Sequence, residues 1–450
     1  MFQSVAKLFI IGLIGVFLSW IGLYYRYNDE TTRFAKEYEL PAPPPLVGPL
    51  EINEKLQNVE YILKDQIVGP ESLVIEGDSI YTTLYDGRIV HIRDGEIVGE
   101  VRFTKEKNCG SFESEHRCGR PLGIRRLNKQ EMVVADAYLG IFAVDMKTGG
   151  FRHLVKSSIP VEGRHMRFLN DIEVLNEDEI IFTDSSYKYD RRHFMHIFLE
   201  QVPNGRILLH TVSTGKTRVL IDNLYFPNGI QLHPDGQSIV FSECSMARIR
   251  KYSFYNNQLT TFAENLPGIP DNIRLSDDGT LWVGLAGVRY SGAPSMIDIM
   301  GPYALARQIL IDVIPSHWWI TYLPYIKPHH AMVIQLDAEG KILSSLHDTT
   351  GKYISDISEV TASIFYLCII IVNIFVSLKN APSTLHATLI DTPEPKEVHS
   401  SMVAKNDIVT TESYVTQKMD ELQVLKLTQP LPSVPLEVSP SQSQYDKLNK

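Results

Sequence analysis

FPNGIQLHPDGQSIVFSE, from Phe226 to Glu243, contains two β-prone runs separated by a Pro-Asp-Gly turn. Ahead of the first run stands Pro227-Asn228-Gly229, which places an amide side chain at the very start of a strand. Much the same arrangement recurs along the chain. An internal repeat is therefore the feature on which a prediction of the fold depends.

The repeated unit consists of an apolar pivot residue, a short alternating run, a turn and a second strand. Five clear copies are PESLVIEGDSIYTT from Pro70, PLGIRRLNKQEMVVAD from Pro121, LNDIEVLNEDEIIFTD from Leu169, PNGIQLHPDGQSIVFSE from Pro227 and PDNIRLSDDGTLWVG from Pro270. A sixth, degenerate copy starts at ISEV, residues 357–360. The spacing of the copies leaves room for four short strands in each, so the sequence predicts an all-β fold, a six-bladed β-propeller.

Side-chain oxygens occupy the position two residues before the pivot in five of the six copies. These five residues are Glu71, Asn170, Asn228, Asp271 and Ser358, whereas the second copy has Leu122. The innermost strands of a propeller surround its central channel, so we expect these side chains to converge on the axis. Carboxylate and amide oxygens without His or Cys suit a hard cation with about six to eight oxygen ligands, and calcium fits better than magnesium. A single Asn or Asp at such a position would only cap a turn.

Composition and charge place the chain among globular proteins and exclude one class of partner. Of its 450 residues, 44% are hydrophobic and 21% are charged, and the formal net charge is −10. No basic stripe offsets this charge, so we expect no nucleic-acid partner. Cys109 and Cys118 bracket the polar loop CGSFESEHRC and could form a disulfide in an oxidising compartment, with two free surface thiols as the alternative.

The N-terminal region predicts a membrane anchor. Residues 8–25, LFIIGLIGVFLSWIGLYY, are uncharged and lie between Lys7 and Arg26. This length is near the lower limit for a membrane-spanning helix, and no small-residue cleavage site follows, so a retained signal anchor is favoured over a removed signal peptide. Residues 1–7 would then be cytosolic, and the Pro-rich linker 26–50 would hold the body away from the bilayer.

Two regions of the predicted propeller, residues 51–378, depart from the blade pattern. The apolar insert 286–330, with a helix predicted over 304–313, could be a lid over the channel mouth, an element resting on the bilayer, or ordinary packing against the propeller side. The segment 361–378 could supply substitute strands, be a second membrane span, or come from an alternative transcript that leaves the sixth blade incomplete. Residues 379–450 are rich in Pro, Ser and Thr and are predicted to be disordered.

Several motifs occur together in the order found in one known family: CGRPLGI, VADAYLGIF, FLNDIEV, FTDSSYKYDRR, FPNGIQL, MARIRKY, PDNIR and SLHDTTGKYISDISEV. Roughly over residues 1 to 360, the sequence resembles the adipocyte plasma membrane-associated proteins, which are strictosidine synthase-like propellers and are similar to paraoxonases and gluconolactonases. The resemblance implies a single-pass type II membrane protein, attached through its N-terminal helix to the endoplasmic reticulum or plasma membrane, with a lumenal or extracellular body. It also implies an axial calcium ion, whose paraoxonase-type ligands fall on Glu71, Asn170, Asn228, Asp271 and Asn272.

Three hypotheses for the function follow. The first is a membrane-anchored, calcium-dependent hydrolase of arylesterase or lactonase type acting on a small-molecule ester or lactone, because an axial calcium can act as a Lewis acid. The second is a non-catalytic binding or adhesion propeller with a structural calcium. The third is a strictosidine synthase-type condensation of an amine with an aldehyde. Its family uses a glutamate near the last repeat, where this chain has Ser358 and Glu359.

Hydrolysis needs a general base, and the histidine pair of the paraoxonase-like enzymes is missing here. Its two positions fall on Leu122 and near Ala137. The substitute candidates for catalytic residues are the carboxylates that end the second strand of three copies, Asp136, Asp184 and Glu243. The alternative for each of them is a structural role as a hydrogen-bond acceptor.

Overall fold

The computed structural model describes residues 2–28, 34–57, 59–362, 367–371 and 374–378. The predicted disordered tail, residues 379–450, lies outside the described residues, as do small parts of the linker 26–50 and of the segment 361–378. The boundaries predicted for these regions stay predictions.

An N-terminal helix, α1 (Phe2–Asn28), contains the predicted anchor, residues 8–25. Among the helices in the described part of the chain, none combines the length and the apolar character that crossing a membrane requires. The predicted membrane span is therefore not confirmed.

The body of the protein is built from antiparallel four-stranded sheets. After β1 (Val59–Ile62), five such sheets follow one another in chain order, each with its strands in sequential order. Their strands are β2 (Leu73–Glu76), β3 (Ser79–Thr83), β4 (Arg88–Arg93), β5 (Glu96–Arg102), β6 (Pro121–Arg126), β7 (Met132–Asp136), β8 (Gly140–Val144), β9 (Phe151–Lys156), β10 (Leu169–Val174), β11 (Glu179–Asp184), β12 (Gly205–Thr211), β13 (Lys216–Leu224), β14 (Pro227–Leu232), β15 (Ser238–Glu243), β16 (Arg248–Ser253), β17 (Leu259–Ala263), β18 (Gly268–Leu275), β19 (Leu281–Val288), β20 (Ala331–Leu336) and β21 (Ile342–Asp348). The sequence prediction of one sheet per repeat is confirmed for these five copies.

A further four-stranded sheet combines the early strand β1 with three strands that follow β21. It has the order β1–β24–β23–β22, with β22 (Ile357–Ala362), β23 (Leu367–Ile371) and β24 (Ile374–Leu378). β1 pairs with β24 in antiparallel register, Val59 opposite Leu378. The described part of the segment 361–378 thus consists of strands, as in the first of its three interpretations.

The sheets are arranged radially, because the first strand of each lies against the first strand of the next. These neighbouring strands are β2 and β6, β6 and β10, β10 and β14, β14 and β18, and β18 and β22. The apolar core lies between adjacent sheets, where for example Val133 and Ile141 pack with Ile172 and Phe182. The predicted all-β propeller fold is confirmed.

A hydroxyl group near the end of the second strand ties three of the sheets to the sheet that follows. Thr83 Oγ1 donates to the carbonyl of Leu122 (2.7 Å), and Thr183 Oγ1 donates to that of Asn228 (2.9 Å). Ser242 Oγ donates to the carbonyl of Asp271 (2.8 Å). Each acceptor stands at the repeat position that the sequence predicts to face the axis. These interblade bonds therefore fix the start of the next innermost strand.

Gly229 follows Asn228 because the next strand passes too close for a side chain. A Cβ atom at this position would lie 2.5 Å from both Asn272 Cα and Asp271 O. Gly123 has the same role, since its Cβ would lie 2.8 Å from Asp171 Cα. The Asn-Gly pair of the opening stretch thus combines an axial amide with close contact between neighbouring sheets.

Thr183→Val is expected to lower the free energy of unfolding by about 2 to 3 kcal/mol, measured by urea denaturation. Valine keeps the shape but leaves two buried groups without partners, the Asn228 carbonyl and the Asp171 N–H that donates to Thr183 Oγ1 (2.9 Å). Thr260→Val is the matched control. Its hydroxyl group is exposed, so the change should stay within about 0.5 kcal/mol. Equal costs for both variants would contradict a specific interblade role.

The loop predicted to carry a disulfide does so. Cys109 and Cys118 are bonded, and α2 (Glu115–Cys118) ends at the second cysteine. Cys244, by contrast, is a buried free thiol.

Helices occur mainly outside the sheets. The short helix α3 (Phe194–Glu200) lies between β11 and β12. The apolar insert forms α4 (Met296–Met300), α5 (Ala304–Val313) and α6 (Ser316–Ile326) between β19 and β20. The sequence prediction of a helix over 304–313 is confirmed by α5.

Candidate metal centre

The predicted calcium ligands all stand at the start of an innermost strand. Asn170 lies in β10, Asn228 in β14 and both Asp271 and Asn272 in β18, whereas Glu71 lies just before β2. Four of the five are buried, and the Glu71 side chain is 17% exposed. We call these five residues the axial ring.

Hydrogen bonds bring the members of the axial ring together. Asn228 Nδ2 donates to Asp271 Oδ1 (2.6 Å), and Asn272 Nδ2 donates to the Glu71 carbonyl (3.3 Å). Asn170 Nδ2 donates to Ser185 Oγ (3.1 Å), which donates in turn to the Pro227 carbonyl (2.7 Å) beside Asn228. Residues from four different sheets therefore meet in one place.

Three amide oxygens of the ring have no hydrogen-bond partner although they are buried. They are the Oδ1 atoms of Asn170, Asn228 and Asn272. A buried carbonyl oxygen without a partner carries a desolvation cost of about 1 to 3 kcal/mol, and here three such costs fall together. Each amide donates through its nitrogen and leaves its oxygen available, which is the orientation that a hard cation requires.

The ring also carries the negative charge that a cation site requires. Burial and the neighbouring carboxylates Glu71 and Asp171 raise the pKa of Asp271 well above its ordinary value. A divalent cation would relieve this repulsion and stabilise the charged form. The five ring residues therefore fit calcium as the family implies it.

The ring is not a cluster of charged ligands alone. In the described part of the chain, no three His, Cys, Asp or Glu side chains lie close enough to one another to hold a metal ion. The ring has two carboxylates, and its other side-chain donors are amides. Both Glu71 oxygens are engaged, Oε1 by Ser358 Oγ (2.8 Å) and Oε2 by Arg120 Nη2 (3.0 Å). Asp271 is thus the acidic ligand with the fewer competing partners.

Below the ring, charged side chains from the innermost strands fill the channel. Arg274 is the centre of this axial plug: it forms two bonds to Asp171 (2.8 and 3.1 Å), pairs with Glu359 and donates to Ser72 Oγ (3.1 Å). The remaining members, Arg125, Glu173 and Gln231, link to this centre or to one another.

The axial plug is a compensated network. Burial tends to raise the pKa of Asp171, but Arg274 and Arg125 outweigh it and lower the pKa below its ordinary value. Arg274 and Asp171 are 5% and 0% exposed, so neither charge could stay buried without the other. Glu359, the glutamate nearest the strictosidine synthase position, is held here by Arg274 and by the Leu73 N–H (2.9 Å).

The three catalytic candidates lie opposite the first residue of an innermost strand, close to the ring but bound locally. Asp184 accepts from Arg206 Nε (3.0 Å) and from the Phe168 N–H (3.2 Å). Glu243 accepts from Arg248 Nε (2.7 Å) and from the Tyr225 N–H (2.8 Å). Contacts of this kind are those of structural acceptors.

Asp136 differs from the other two candidates. Its Oδ1 accepts from the N–H groups of Tyr138 and Leu139 (both 3.0 Å), but its buried Oδ2 has no partner. The reason is the opposing strand, which has Gly140 at the position where the other two sheets have arginine. Burial raises the pKa of Asp136 to about 6.

Asp136→Asn is expected to change how stability depends on pH. Because the pKa of Asp136 in the folded protein, about 6, exceeds the unfolded value of about 3.9, the native state binds more protons between these values. The free energy of unfolding of the wild type should thus fall as pH rises from about 4 to 6. The variant lacks this fall and should be more stable than wild type at pH 7, by about 3 kcal/mol. Urea denaturation at several pH values measures this, and a constant difference between the two proteins would contradict it.

At the axial position of the second repeat, an apolar cluster joins the propeller to the helices of the insert. Leu122, Phe168 and Phe226 of the propeller pack together with Ile297 of α4 and Trp319 of α6. We call these five residues the mouth cluster. This packing places the insert against the propeller, and the lid and the bilayer contact stay predictions. The Trp319 Nε1–H is buried without a partner.

Two residues near the ring were missed by the sequence analysis. Arg120 is 1% exposed, binds Glu71 and has an Nε–H without a partner. Cys244 Sγ lies 2.9 Å from the Pro270 carbonyl and faces Asn228 and Asp271. Arg120 could have been found from its place in CGRPLGI, two residues before the axial position of its repeat.

Family models match two parts of the chain. The model described as strictosidine synthase matches residues 170–257, and the model described as strictosidine synthase-like, N-terminal, matches residues 48–92.

Full-length relatives are similar over most of the chain. The adipocyte plasma membrane-associated protein of Danio rerio is 37% identical over 345 residues, which cover 74% of this chain and 82% of that protein. Its Homo sapiens counterpart is 37% identical over 322 residues, covering 71% and 76%. The protein strictosidine synthase-like 3 of Arabidopsis thaliana is 33% identical over 343 residues, covering 72% and 86%.

Solved structures with a related fold are more distant. A gluconolactonase of Xanthomonas campestris matches with a TM-score of 0.47 and 16% identity, covering 77% of this chain and 99% of that one. A calcium-binding regucalcin of Agrobacterium tumefaciens matches with a TM-score of 0.45 and 11% identity, covering 73% and 87%. Similarity at this level carries no information on ligand or activity.

Proposed function

The chain belongs to the family of adipocyte plasma membrane-associated proteins, and from the geometry of the axial ring we propose that it is a calcium-dependent ester hydrolase of arylesterase or lactonase type. The observation that carries this proposal is the set of three buried, unpartnered amide oxygens beside the Asp271 carboxylate. The substrate would be a small ester or lactone that reaches the ring from the side of the mouth cluster.

The chain's own residues provide binding and orientation. Asn170, Asn228, Asp271 and Asn272 would hold calcium, with Glu71 completing the set. When bound, calcium supplies a Lewis acid for the carbonyl oxygen of an ester. The five buried side chains of the mouth cluster would exclude bulk water from a bound substrate.

Asp136 is the best of the three candidates for the general base. Its free Oδ2 can accept a proton from water, and a pKa of about 6 suits a base that works near neutral pH. Asp184 and Glu243, which are engaged by arginines, are proposed in supporting roles.

Hydrolysis of phenyl acetate by the purified full chain tests the proposal. Activity should be lost on EDTA treatment and restored by calcium. Asp136→Asn should lower kcat by about 100-fold or more and leave the effect of calcium on the melting temperature unchanged. A calcium effect on melting without any esterase activity would favour the alternative below.

The alternative function is a non-catalytic binding or adhesion propeller with a structural calcium. It is supported by the two positions of the paraoxonase-like histidine pair, which hold the buried apolar residues Leu122 and Ala137. The amine–aldehyde condensation has less support, because the Glu359 carboxylate is committed to Arg274 and Leu73.

We further propose that the propeller closes as a ring of six blades. The sixth blade would be the sheet of β1, β22, β23 and β24. Ser358 Oγ donates to the Glu71 carbonyl (3.2 Å) and the Leu73 N–H donates to Glu359, and both contacts support adjacency of the last and first blades.

We also propose that the protein is attached to the membrane through α1, in type II orientation, with its body in the lumen of the endoplasmic reticulum or outside the cell. The bond between Cys109 and Cys118 supports an oxidising compartment. Protease protection in sealed microsomes would test this orientation, since a cytosolic body would be digested.

A further inference from the structure

Helix α6 has two different faces. Trp319 and Leu323 lie against the apolar residues at the channel mouth. Trp318, Tyr322 and Tyr325 are 51%, 54% and 77% exposed. Their spacing of four and three residues places these three rings on one side of the helix. We call them the aromatic stripe.

The composition of α6 is that of a helix at a membrane interface. The segment SHWWITYLPYI contains no Asp, Glu, Lys or Arg. The rings of Trp318 and Tyr322 contact each other edge to face, with centroids 5.9 Å apart. Trp and Tyr are enriched where a protein meets the lipid headgroups, because each has an apolar ring and a polar group.

The apolar helix α1 leaves the body of the protein beside α5, the helix that precedes α6. The Phe34 and Ala35 N–H groups both donate to Gln308 Oε1 of α5 (2.9 and 3.1 Å). Arg26, in the last turn of α1, lies near Asp312 of α5. Only Ile314 and Pro315 separate α5 from α6.

The elements next to α6 also carry exposed apolar side chains. The side chains of α1 between Ile11 and Tyr24 include many large exposed hydrophobic groups, and Phe34 is 55% exposed. Val313, at the end of α5, is 58% exposed. A phospholipid surface that accepts α1 would lie next to the insert.

We infer that the aromatic stripe of α6 is a second contact with the membrane, at the level of the lipid headgroups. The other face of the same helix packs into the mouth cluster. The entrance to the ring is thus held at the bilayer surface. This inference rests on the proposed attachment through α1, but it does not depend on whether the ring is catalytic.

Tryptophan fluorescence of the full chain in phosphatidylcholine vesicles tests the inference. The emission of Trp318 is obtained as the difference between wild type and Trp318→Phe. In lipid brominated near the glycerol end of the acyl chains, this difference should be lowered by about half or more. The matched control is Trp319→Phe, because Trp319 is 6% exposed and faces the mouth. Its share of the emission should be insensitive to bromine.

Two results would overturn the inference. Quenching of the Trp318 emission by aqueous iodide, without quenching by brominated lipid, would show that the stripe faces water. Protection from both quenchers would show that another protein surface, such as a second copy of the chain, covers it. Circular dichroism of both Phe variants verifies that they are folded.

Discussion

Removal of calcium from the full chain with EDTA is expected to lower the melting temperature by roughly 5 to 10 °C. A site that is saturated about 1,000-fold above its Kd contributes about 4 kcal/mol of stability. For a domain of this size, each kcal/mol corresponds to about 2 °C or slightly more. The cause lies in the ring: without a cation, the buried Asp271 carboxylate faces Glu71 and Asp171, and three amide oxygens have no partner.

The effect of Asp271→Asn on the melting temperature should have opposite signs in EDTA and in calcium. In EDTA, the variant should melt above the wild type, because it removes a buried charge that burial and its neighbours disfavour. In calcium it should melt below the wild type, since it has lost an acidic ligand. Asp278→Asn, in the exposed turn after β18, is the matched control and should shift both curves equally. If the melting temperature of the wild type did not depend on calcium, the axial ring would not be a calcium site.

The second large effect is expected at the axial plug. Arg274→Met should lower the free energy of unfolding by about 3 to 5 kcal/mol, because it leaves the buried Asp171 and Glu359 carboxylates without their main partner. Urea denaturation at pH 7 measures this. The loss should shrink at acidic pH, where Asp171, whose pKa Arg274 holds below its ordinary value, can be protonated.

Arg126→Met is the matched control for the plug. Arg126 pairs with Glu76 on the surface, where both side chains are about a third exposed, so its loss should cost at most about 1 kcal/mol. If both variants lost a similar free energy of unfolding, the axial plug would stabilise the protein no more than a surface ion pair does. A double variant, Arg274→Met with Asp171→Asn, should recover part of the stability.

The axial ring could be predicted from the sequence because each repeat places its own residue at the same step of the same strand. Asn170, Asn228 and Asp271 are equivalent positions, so radial symmetry brings them together whatever the details of packing. The partners of these residues could not be predicted in this way. Arg120 stands just before β6 and binds Glu71, which stands just before β2 of the neighbouring sheet. This contact depends on the rotation between the two sheets.

The different surroundings of Asp136, Asp184 and Glu243 could not be predicted from the sequence for a related reason. Asp184 and Glu243 end their strands like Asp136, but each faces an arginine on the third strand. Only the register of that strand shows that Asp136 faces Gly140 instead. The sequence pattern makes the three alike, and the cross-strand partner makes them different.

Arg274 and its partners are buried and ion-paired beneath the ring, so a ligand of the ring would have to approach from the side of the mouth cluster. Substrate and product would then use the same path to and from the ring, so each would compete with the other for it. The pace of exchange would then be set by how often α4, α5 and α6 swing aside. A covalent cross-link between these helices and the propeller should slow both the binding of substrate and the release of product.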